Sequence, residues 1–358
     1  GEDTYGADMY TPALLRRIGE ARPGRPFCGQ LGAGEAVEIA TGAPMPVGAD
    51  TVVPVEATAC EGDRVLVREA VPTGRHVGRA GEDVGVGTVV LSAGRVLRPQ
   101  DLGLLSGLGV AVLDVVRRPR VRIVVTGDEL LPAGSLASGC RFADMNSPML
   151  AALAARDGGM VSTIGPVPDR REAVAEALAD AVGTADVVLV SGGSSTGPED
   201  HAPAVVHELG ELPVHGVALR PASPTGLGRI AGVPVVLLPG NPVSCLCAYD
   251  LFAGRIIRRL GGRPPGWPYR PVVRPLAYKL VSAVGRVDYV RVRLAETGVE
   301  PLAISGASIL SSTTRADGFV VVPAELEGHP AGASVTVWLY DEMNPLVRVS
   351  NGEMAFDR

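Results

Sequence analysis

The sequence has little of what marks a nucleic-acid-binding protein. It contains one lysine, Lys279, and its 33 basic residues are outnumbered by 39 acidic ones, which gives a formal net charge of −6. Binding to nucleic-acid phosphates by bulk positive charge is therefore not expected. Aromatic residues make up only 4% of the chain, so platforms on which bases stack are not expected either.

Cysteine is scarce and scattered. An odd count of five without regular spacing argues against a disulfide framework and favours a reducing compartment. No spacing of His and Cys resembles a zinc site. Cys245 and Cys247 lie in an apolar, helix-like run, and we expect them to be buried structural thiols. The other three are Cys28, Cys60 and Cys140.

Long apolar runs are also missing. No stretch approaches the ~18 residues that a membrane span needs. The first residues, Gly1-Glu2-Asp3, lack the basic and apolar regions of a signal peptide. We expect no membrane partner and a cytoplasmic location.

What the chain does contain is enough apolar material for sizeable cores. Hydrophobic residues make up 46% and charged residues 20% of the 358 positions, so global disorder is excluded. The length exceeds what one core fills, which predicts two to four domains. The 46 glycines and 30 prolines indicate many turns rather than long helical bundles.

The middle of the chain alternates between short β-branched runs and stretches with helical periodicity. This pattern predicts crossover units and a mostly parallel sheet that is covered on both faces. Ligands bind beyond the carboxyl ends of the strands in such sheets. The predicted strands are 121–126, 160–165, 186–191 and 235–238, and the predicted helices are 147–156, 169–182, 200–209 and 242–260.

The flanking regions have a different pattern. Before residue 121, segments rich in turn-forming residues separate short β-branched segments. Helical periodicity is confined there to residues 11–20 and 98–108. This predicts a small β domain with a helical connector. After the Pro- and Gly-rich linker 261–266, alternating runs predict a C-terminal β-barrel or sandwich. The predicted divisions are 1–80 for the small β domain with a remnant of an N-terminal connector, 81–117 for the connector segment, 118–264 for the α/β domain and 268–345 for the C-terminal β domain.

Three glycine-containing turns follow three of the predicted parallel strands: Thr126-Gly-Asp-Glu-Leu130, Ser191-Gly-Gly-Ser-Ser-Thr-Gly197 and Pro239-Gly-Asn-Pro-Val-Ser244. Gly192, Gly193 and Gly197 lack a Cβ, so backbone N–H groups can approach an anion, and neighbouring hydroxyls favour phosphate. Any one such turn is more simply a tight connection into a helix. Three together favour a phosphate cradle without a Walker lysine.

Carboxylates accompany these turns. Asp128 and Glu129 follow one strand, Glu199 and Asp200 follow another, and Asp144 precedes a predicted helix. Oxygen ligands from two strand ends, completed by a nucleotide phosphate, suit Mg²⁺. Helix N-capping, worth about 1 kcal/mol, is an equally good interpretation for Asp144 and Asp200 when each is considered alone. His201 is better explained as a first-turn helical residue than as a general base.

Six motifs together, in this order, closely resemble the molybdopterin molybdenumtransferase family, which comprises MoeA and the gephyrin E-domain. The resemblance runs from about residue 24 to residue 342 and includes Gly285-Arg-Val-Asp288 and Gly306-Ala-Ser-Ile-Leu-Ser-Ser312. The six motifs are Ile39-Ala-Thr-Gly-Ala-Pro-Met-Pro-Val-Gly-Ala-Asp50, Gly81-Glu-Asp83, Thr126-Gly-Asp-Glu-Leu130, Asp144-Met-Asn-Ser147, Ser191-Gly-Gly193 with Asp200, and Leu238-Pro-Gly-Asn-Pro-Val-Ser244.

The resemblance implies a multidomain, L-shaped homodimer. Each subunit would carry a central α/β domain of the molybdopterin-binding type, a small β domain on a connector and a C-terminal β-barrel. It further implies an enzyme that takes adenylylated molybdopterin and molybdate, hydrolyses the pyrophosphate link with a divalent cation, here Mg²⁺, and releases AMP and molybdenum cofactor. The adenylyltransferase of the same pathway is a candidate partner.

Roles are carried over by position from the same resemblance. Glu129 and Asp200 would hold Mg²⁺, and Thr41 and Asp83 would come from the neighbouring subunit's side of the cleft. Arg286 would face anionic substrate. The catalytic candidates are Asp8, Thr41, Asp83, Asp128 and Arg286. The binding candidates are Asp144, Asn146, Ser147, Gly192, Gly193, Ser194, Gly197, Arg220, Ser223, Pro239, Gly240, Asn241 and Pro242.

The sequence departs from the family pattern in two places. The family's N-terminal signature is Ser-Ala-Met-Asp-Gly-Tyr-Ala, and only Ala7-Asp-Met-Tyr10 matches it in part. This match makes Asp8 the counterpart of the catalytic Asp. The usual Lys-Pro-Gly-Lys-Pro appears as Arg220-Pro-Ala-Ser-Pro224, so one cation is lost. These departures motivate two alternatives: a scaffold that has lost catalysis, and a transferase for another nucleotide-activated substrate.

Overall fold

The computed structural model of the protein describes residues 1–195, 197, 200–303 and 306–341. The chain divides into two units, Gly1–Ser92 and Ala93–Arg358. Within the described part of the chain, none of the helices has the length and apolar character needed to cross a bilayer.

The first unit is built on a four-stranded sheet with the order β2-β1-β4-β3. Strand β1 pairs in parallel with β2 and antiparallel with β4, and β3 and β4 form an antiparallel hairpin. Two short 3₁₀ helices, Glu2–Thr4 and Val55–Ala57, complete the unit. The strands are β1 (Ala13–Ala21), β2 (Glu35–Ile39), β3 (Thr58–Glu61) and β4 (Arg64–Val67).

The helix predicted for residues 11–20 is wrong, because this segment is the central strand β1. Its apolar residues have helical spacing, but pairing on both edges of the strand overrides local periodicity. The pairing register shifts between Arg17 and Gly19, and the exposed Arg17 interrupts the alternation between the buried Leu15 and Ala21. The sheet therefore depends on contacts that are distant in sequence.

The second unit begins with the connector helix α1 (Pro99–Gly107), which confirms the helical prediction for residues 98–108. The backbone N–H of Arg98 donates to Asp101 Oδ2 at 2.9 Å at the start of the helix. Asp101 is buried and also accepts hydrogen bonds from Arg95. A side chain near the start of the helix therefore caps it, as helix N-termini require.

A six-stranded sheet with the order β10-β12-β13-β9-β5-β8 forms the centre of this unit. Strands β13, β9, β5 and β8 are parallel, as predicted, while β10 and β12 form an antiparallel edge that was not predicted. The elements in chain order are β5 (Arg120–Thr126), β6 (Leu130–Leu131), β7 (Phe142–Ala143), α2 (Asn146–Arg156), β8 (Met160–Val167), α3 (Arg171–Thr184), β9 (Val187–Ser191), α4 (Ala202–Leu209), β10 (Gly210–His215), β11 (Leu219–Arg220), β12 (Gly226–Ile230), β13 (Val233–Leu238), α5 (Pro242–Ala248) and α6 (Gly254–Leu260), with a π-helical turn at Tyr249–Ala253 between the last two.

Helices cover both faces of this sheet. On one face Val188 and Val190 of β9 pack with Leu178 of α3 and Val205 of α4. On the other face, side chains of β5, β9 and β13 pack against α2, α5 and α6. Strand β9 is buried at every position, which is why its sequence is a continuous apolar run rather than an alternation.

The C-terminal part is a sheet with the order β11-β16-β18-β20-β14, with β17 paired to β16. The free edges of β14 and β17 meet at one bridge, Leu276 to Val299, beside which Ala277 N–H donates to Val299 O at 2.9 Å. A closed barrel stays a prediction. The elements are β14 (Arg270–Pro275), β15 (Leu280–Val281), β16 (Val287–Ala295), β17 (Gly298–Ala303), α7 (Ser311–Thr314), β18 (Gly318–Val322), β19 (Gly328–His329) and β20 (Ser334–Leu339).

A buried polar junction joins the C-terminal sheet to the central helices. Asp250, on the π-helical turn, is fully buried and accepts hydrogen bonds from the hydroxyls of Tyr269 at 2.9 Å and Tyr289 at 3.2 Å. Arg156 lies 3.4 Å from the same carboxylate. Burial raises the pKa of Asp250 to about 6, against the lowering effect of Arg156 and the phenols.

The thiols of Cys245 and Cys247 are buried in α5, which confirms the prediction made for them. Burial raises the pKa of Cys245 to about 12, because an apolar interior disfavours the thiolate. These two residues therefore behave as packing side chains, and Cys28, Cys60 and Cys140 are exposed.

Candidate active site

The carboxyl ends of the parallel strands β5, β8, β9 and β13 meet along one edge of the central sheet, and a cavity of about 610 Å³ opens there. Its position is the one expected for a ligand in an open parallel sheet. It is lined by Thr126, Glu129, Leu130, Phe142, Asp144, Met145, Asn146, Asp169, Ser191, Gly192, Gly193, Ser194, Ser195, Asp200, Pro224, Pro239, Gly240, Asn241, Pro242 and Ser308.

The turn after β9 lines this cavity and contains backbone N–H groups that have no acceptor among the described residues. Gly192 and Gly193 have φ values of +96° and +54°, which favour glycine. Gly192 N–H donates to Leu238 O at 3.3 Å. The N–H groups of Gly193 and Ser194 donate to no described residue. Unpartnered N–H groups in succession form a concave site for an anion.

The turn after β13 lies against the first turn. A Cβ on Gly240 would be 3.5 Å from Gly192 Cα. The N–H groups of Gly240 and Asn241 likewise have no acceptor among the described residues. Asn241 Oδ1 accepts a hydrogen bond of 2.8 Å from Ser308 Oγ, so a residue of the C-terminal region closes this side of the cavity. Two neighbouring turns thus supply backbone donors to one space.

The start of α2 forms the third wall. Asp144 Oδ1 accepts from the N–H groups of Asn146 at 2.8 Å and Ser147 at 3.0 Å, so the capping interpretation of Asp144 is confirmed while its side chain still lines the cavity. Asn146 Nδ2 donates to Ser191 Oγ at 2.8 Å and to Gly240 O at 2.7 Å. These two bonds fix the amide and hold the strand-end turns together.

The cavity wall is acidic. Glu129, Asp144, Asp169 and Asp200 line it, and no Lys, Arg or His is among the described residues that do so. The Glu129 carboxylate accepts no hydrogen bond within the described part of the chain, and Asp200 Oδ2 accepts only that of Gly197 N–H at 2.9 Å. These carboxylates would repel an anionic group placed beside them, since like charges at short range repel.

Three family models match consecutive parts of the chain: the MoeA N-terminal region (domain I and II) at residues 2–109, the probable molybdopterin binding domain at 122–259 and the MoeA C-terminal region (domain IV) at 274–340. A protein of Mycobacterium tuberculosis named molybdopterin molybdenumtransferase 2 is 35% identical over 350 residues, which are 94% of this chain and 85% of that protein. The chain belongs to the molybdopterin molybdenumtransferase family.

Two further similarities agree with this membership. The molybdopterin molybdenumtransferase of Haemophilus influenzae is 30% identical over 338 residues, 92% of this chain and 83% of that protein. The crystal structure of a molybdopterin biosynthesis MoeA protein from Pyrococcus horikoshii superposes with a TM-score of 0.81 at 32% identity, over 96% of this chain and 85% of that one. The multidomain mixed α/β fold is therefore that of the MoeA family.

Most residues predicted to bind in this member of the molybdenumtransferase family do lie together. Glu129 and Asp200, the predicted metal ligands, line the same cavity as nine of the thirteen predicted binding residues. Ser147 contributes its N–H to Asp144 behind the wall, and Gly197 donates to Asp200. Glu199 lies outside the described residues. The nine are Asp144, Asn146, Gly192, Gly193, Ser194, Pro239, Gly240, Asn241 and Pro242.

Arg220, Arg286 and Ser223 are not in the cavity wall. Arg220 forms an ion pair with Asp288, and Arg286 Nε lies 3.3 Å from the same carboxylate. Asp288 is fully buried and also accepts from Ser282 Oγ at 2.7 Å. Both cations are thus offset by one buried acid, and their roles toward substrate stay predictions.

Of the other four predicted catalytic residues, Asp128 is not in the wall of this cavity, and Asp8, Thr41 and Asp83 belong to the first unit. The backbone N–H of Asp128 donates to Asp169 Oδ2 and the backbone N–H of Asp169 donates to Asp128 Oδ1, each at 3.2 Å, and it is Asp169 that lines the cavity. Asp8 accepts from the N–H and hydroxyl of Thr11 and from Tyr10 N–H, which lowers its pKa. Asp8, Thr41 and Asp83 lie in the first unit, and their roles stay predictions.

Nine residues of the wall were not among the predicted site residues, and three of these nine are Thr126, Asp169 and Ser308. Asp169 follows β8 as the other site residues follow β5, β9 and β13, so a fourth strand-end turn was available as a signal. Thr126 is the first residue of the motif 126–130, of which only the acidic residues Asp128 and Glu129 were predicted to belong to the site. Ser308 lies in the C-terminal motif 306–312, but its contact with Asn241 depends on tertiary packing.

Proposed function

We propose that this protein is a Mg²⁺-dependent molybdopterin molybdenumtransferase. It takes molybdate and adenylylated molybdopterin, cleaves the pyrophosphate link and releases AMP and molybdenum cofactor. The observation that carries the proposal is a strand-end cavity that combines unpartnered backbone N–H groups with four carboxylates and no basic side chain among its described wall residues.

The backbone donors would bind the nucleotide phosphates. Gly193, Ser194, Gly240 and Asn241 offer N–H groups from two adjacent turns, and neutral donors of this kind can surround phosphate oxygens without a lysine. The turns are rigid because Asn146 ties Ser191 to Gly240 O. Binding energy is thus directed to the group whose bond is broken.

The acidic side of the cavity suits Mg²⁺. Glu129 and Asp200 would hold the ion, as the family resemblance implies. The Glu129 carboxylate accepts no hydrogen bond from the described residues and that of Asp200 accepts one, from Gly197 N–H, whereas Asp144 is used in capping α2. Mg²⁺ takes one or two carboxylates and completes its ligands from phosphates and water. When bound, it would neutralise phosphate charge during displacement.

In the proposed cleavage a water oxygen forms a bond to the adenylyl phosphorus while the bond from that phosphorus to the bridging oxygen breaks. The products of this step are AMP and the phosphate end of the pterin ligand. The N–H groups of Gly193 and Ser194 would hold the phosphoryl oxygens in line for attack. The half-buried Asp169 would accept the proton of the water, since it reaches the cavity from the neighbouring strand end.

The proposal includes a homodimer in the cytoplasm. Thr41 and Asp83 would reach the cavity from the partner subunit, as the family resemblance implies, and Asp8 would be the counterpart of the family's catalytic Asp. An isologous two-fold interface would build two such composite sites. The scattered cysteines, none of them in a disulfide, support a reducing compartment.

The direct test supplies purified protein with adenylylated molybdopterin, molybdate and Mg²⁺ and measures AMP by chromatography. We expect AMP release that requires both molybdate and the metal and that is lost with chelator and restored by added Mg²⁺. A folded protein that releases no AMP, and that does not restore nitrate reductase activity to a strain lacking the transferase, would contradict the proposal and favour the scaffold.

A further inference from the structure

Phe142 is an exposed aromatic side chain in the wall of the strand-end cavity. Its side chain is 43% exposed, and no other aromatic residue is among the described residues that line this cavity. The other phenylalanines that the structure describes are more buried. Phe319, for example, is fully buried and stacks on the ring of Tyr289. Phe142 therefore differs from the rings that build the core of this protein.

The local backbone directs this side chain towards the cavity. Strand β7 pairs in parallel with β6, and Phe142 is the register partner of Leu130. Register partners lie on the same face of a ribbon, and the next residue along each strand lies on the other face. Leu130 and Phe142 both line the cavity, whereas their neighbours Leu131 and Ala143 do not. One face of the short ribbon is thus part of the cavity wall.

A third apolar side chain extends this part of the wall. Met145 is also 43% exposed and lines the same cavity. Single exposed apolar residues are ordinary on protein surfaces, but Leu130, Phe142 and Met145 lie together in one concave site. Sites for small molecules combine such apolar and aromatic side chains with a few polar groups. We call these three residues the apolar wall.

The apolar wall is within reach of the proposed phosphate donors. Asn146 Nδ2 donates to Gly240 O, in the turn after β13. Phe142 precedes Asn146 by four residues, and four residues of extended chain span at most about 14 Å. The cavity volume of about 610 Å³ is within the range of roughly 300 to 1,000 Å³ that is typical of ligand sites. One ligand with a phosphate at one end and a ring at the other can therefore contact both regions.

We propose that the Phe142 ring stacks on a planar heteroaromatic ring of the bound substrate. This inference deepens the proposed function and rests on it, because adenylylated molybdopterin carries two such rings, adenine and pterin. Aromatic faces stack on one another in an offset geometry, which an aliphatic side chain cannot reproduce. A single ring suits one small molecule and not a run of bases, for which this chain has too few aromatic residues.

The test compares Phe142→Leu, which removes the ring but stays apolar, with Phe142→Tyr, which keeps the ring. Calorimetry with the full chain in Mg²⁺ buffer measures the binding of AMP, neopterin phosphate and ribose 5-phosphate, the last of which has a phosphate but no aromatic ring. We expect Phe142→Leu to weaken the binding of AMP or of neopterin phosphate about fivefold or more, and that of ribose 5-phosphate by less than about twofold. The ligand that loses affinity identifies the ring. Phe142→Tyr should bind all three ligands within about twofold of the wild type.

Leu136→Ala is the matched control. Leu136 lies between β6 and β7 and is 90% exposed, but it does not line the cavity. This variant should bind all three ligands as the wild type does. The melting temperatures of the unliganded variants should stay close to that of the wild type, because the substituted side chains are exposed.

Two results would overturn the inference and leave the proposed function intact, provided that the wild type still releases AMP. One is that Phe142→Leu binds every ligand as tightly as the wild type, which excludes a contact with the ring. The other is that it loses as much affinity for ribose 5-phosphate as for the ligands that carry a ring, which shows an effect on the phosphate site alone. If the wild type binds none of the three ligands, the proposed nucleotide site and this inference both fall.

Discussion

Gly192 lies so close to Thr126 that a Cβ on the glycine would be 2.3 Å from the carbonyl oxygen of the threonine. The φ of Gly192 is +96°, in a region that residues with a Cβ rarely adopt. Space and backbone conformation therefore both require glycine at the turn that supplies the proposed phosphate donors.

Gly192→Ala should lower the free energy of unfolding by roughly 2 to 4 kcal/mol, because the turn must move away from β5. Gly134→Ala is the matched control, since Gly134 also has a positive φ, +80°, but nothing within 4 Å of a built Cβ. That variant should lose only about 1 kcal/mol. Thermal unfolding measures both, and equal losses would show that the contact with Thr126 is unimportant.

Asp200→Ala and Asp200→Asn should both reduce AMP release roughly hundredfold or more, because a metal ligand contributes several kcal/mol to catalysis. The amide keeps an oxygen that can accept from Gly197 N–H and removes only the charge, so it separates metal binding from turn geometry. Melting temperatures should stay close to that of the wild type, since the residue is only half-buried and lies in the turn before α4. Normal turnover by Asp200→Asn at limiting Mg²⁺ would refute the metal role.

Asp250 should make the junction less stable as pH rises through the acid range. Its folded pKa of about 6 lies above the usual unfolded value of about 3.9, so the folded state binds more protons between these values. Its contribution is complete below about pH 4 and is lost by about pH 6. Relative to Asp250→Asn, the wild type should therefore lose roughly 1 to 3 kcal/mol of stability from pH 4 to pH 7.

Tryptophan fluorescence can follow this junction in urea. The chain has two tryptophans; Trp267 Nε1 donates to Asp250 O at 2.9 Å, and Trp338 packs against Trp267. The comparison of wild type with Asp250→Asn cancels the carboxylates whose pKa values are lowered elsewhere. A difference that stays flat, or grows with pH, would contradict the raised pKa.

Mixed dimers test whether the two units of different subunits form one site. Asp83→Ala and Asp200→Ala should each be nearly inactive. Unfolding and refolding them together should restore about a quarter of wild-type activity, because half of the chains form heterodimers with one intact site of two. Confirmed subunit exchange without recovery, or a monomer at micromolar concentration that still turns over, would rule out the composite site.

The parallel core could be predicted from the sequence because its pattern is local. Residues 187–190 form an uninterrupted apolar run, and the helices beside them have a clear 3.6 period. Strands β10 and β12 could not be found this way, since Gly226–Ile230 is glycine-rich and mostly unpatterned, and its neighbours decide its conformation. Residues 11–20 were misassigned because their neighbours also decide their conformation: strand pairing on both edges overrides the helical spacing of the apolar residues.

The candidate site was predictable where topology alone determines it. Turns that follow parallel strands must meet at one edge, so Gly192, Gly240 and Glu129 could be grouped before the structure was known. The burial of the Thr126 hydroxyl, the bond between Ser308 and Asn241 and the offset of Arg220 by Asp288 all depend on packing between distant segments. No local pattern in the sequence encodes such contacts.

The loop that holds Ser308 has an evolutionary consequence. Val243 N–H donates to Ala307 O at 2.9 Å, and Ser308 Oγ donates to Asn241, so the C-terminal region supplies part of the frame around the central cavity. It is therefore not an interchangeable module. Recombination between relatives would have to transmit residues 239–243 together with 306–312 as one inherited block, and a chimaera joined at the linker 261–266 would separate the two halves of that frame.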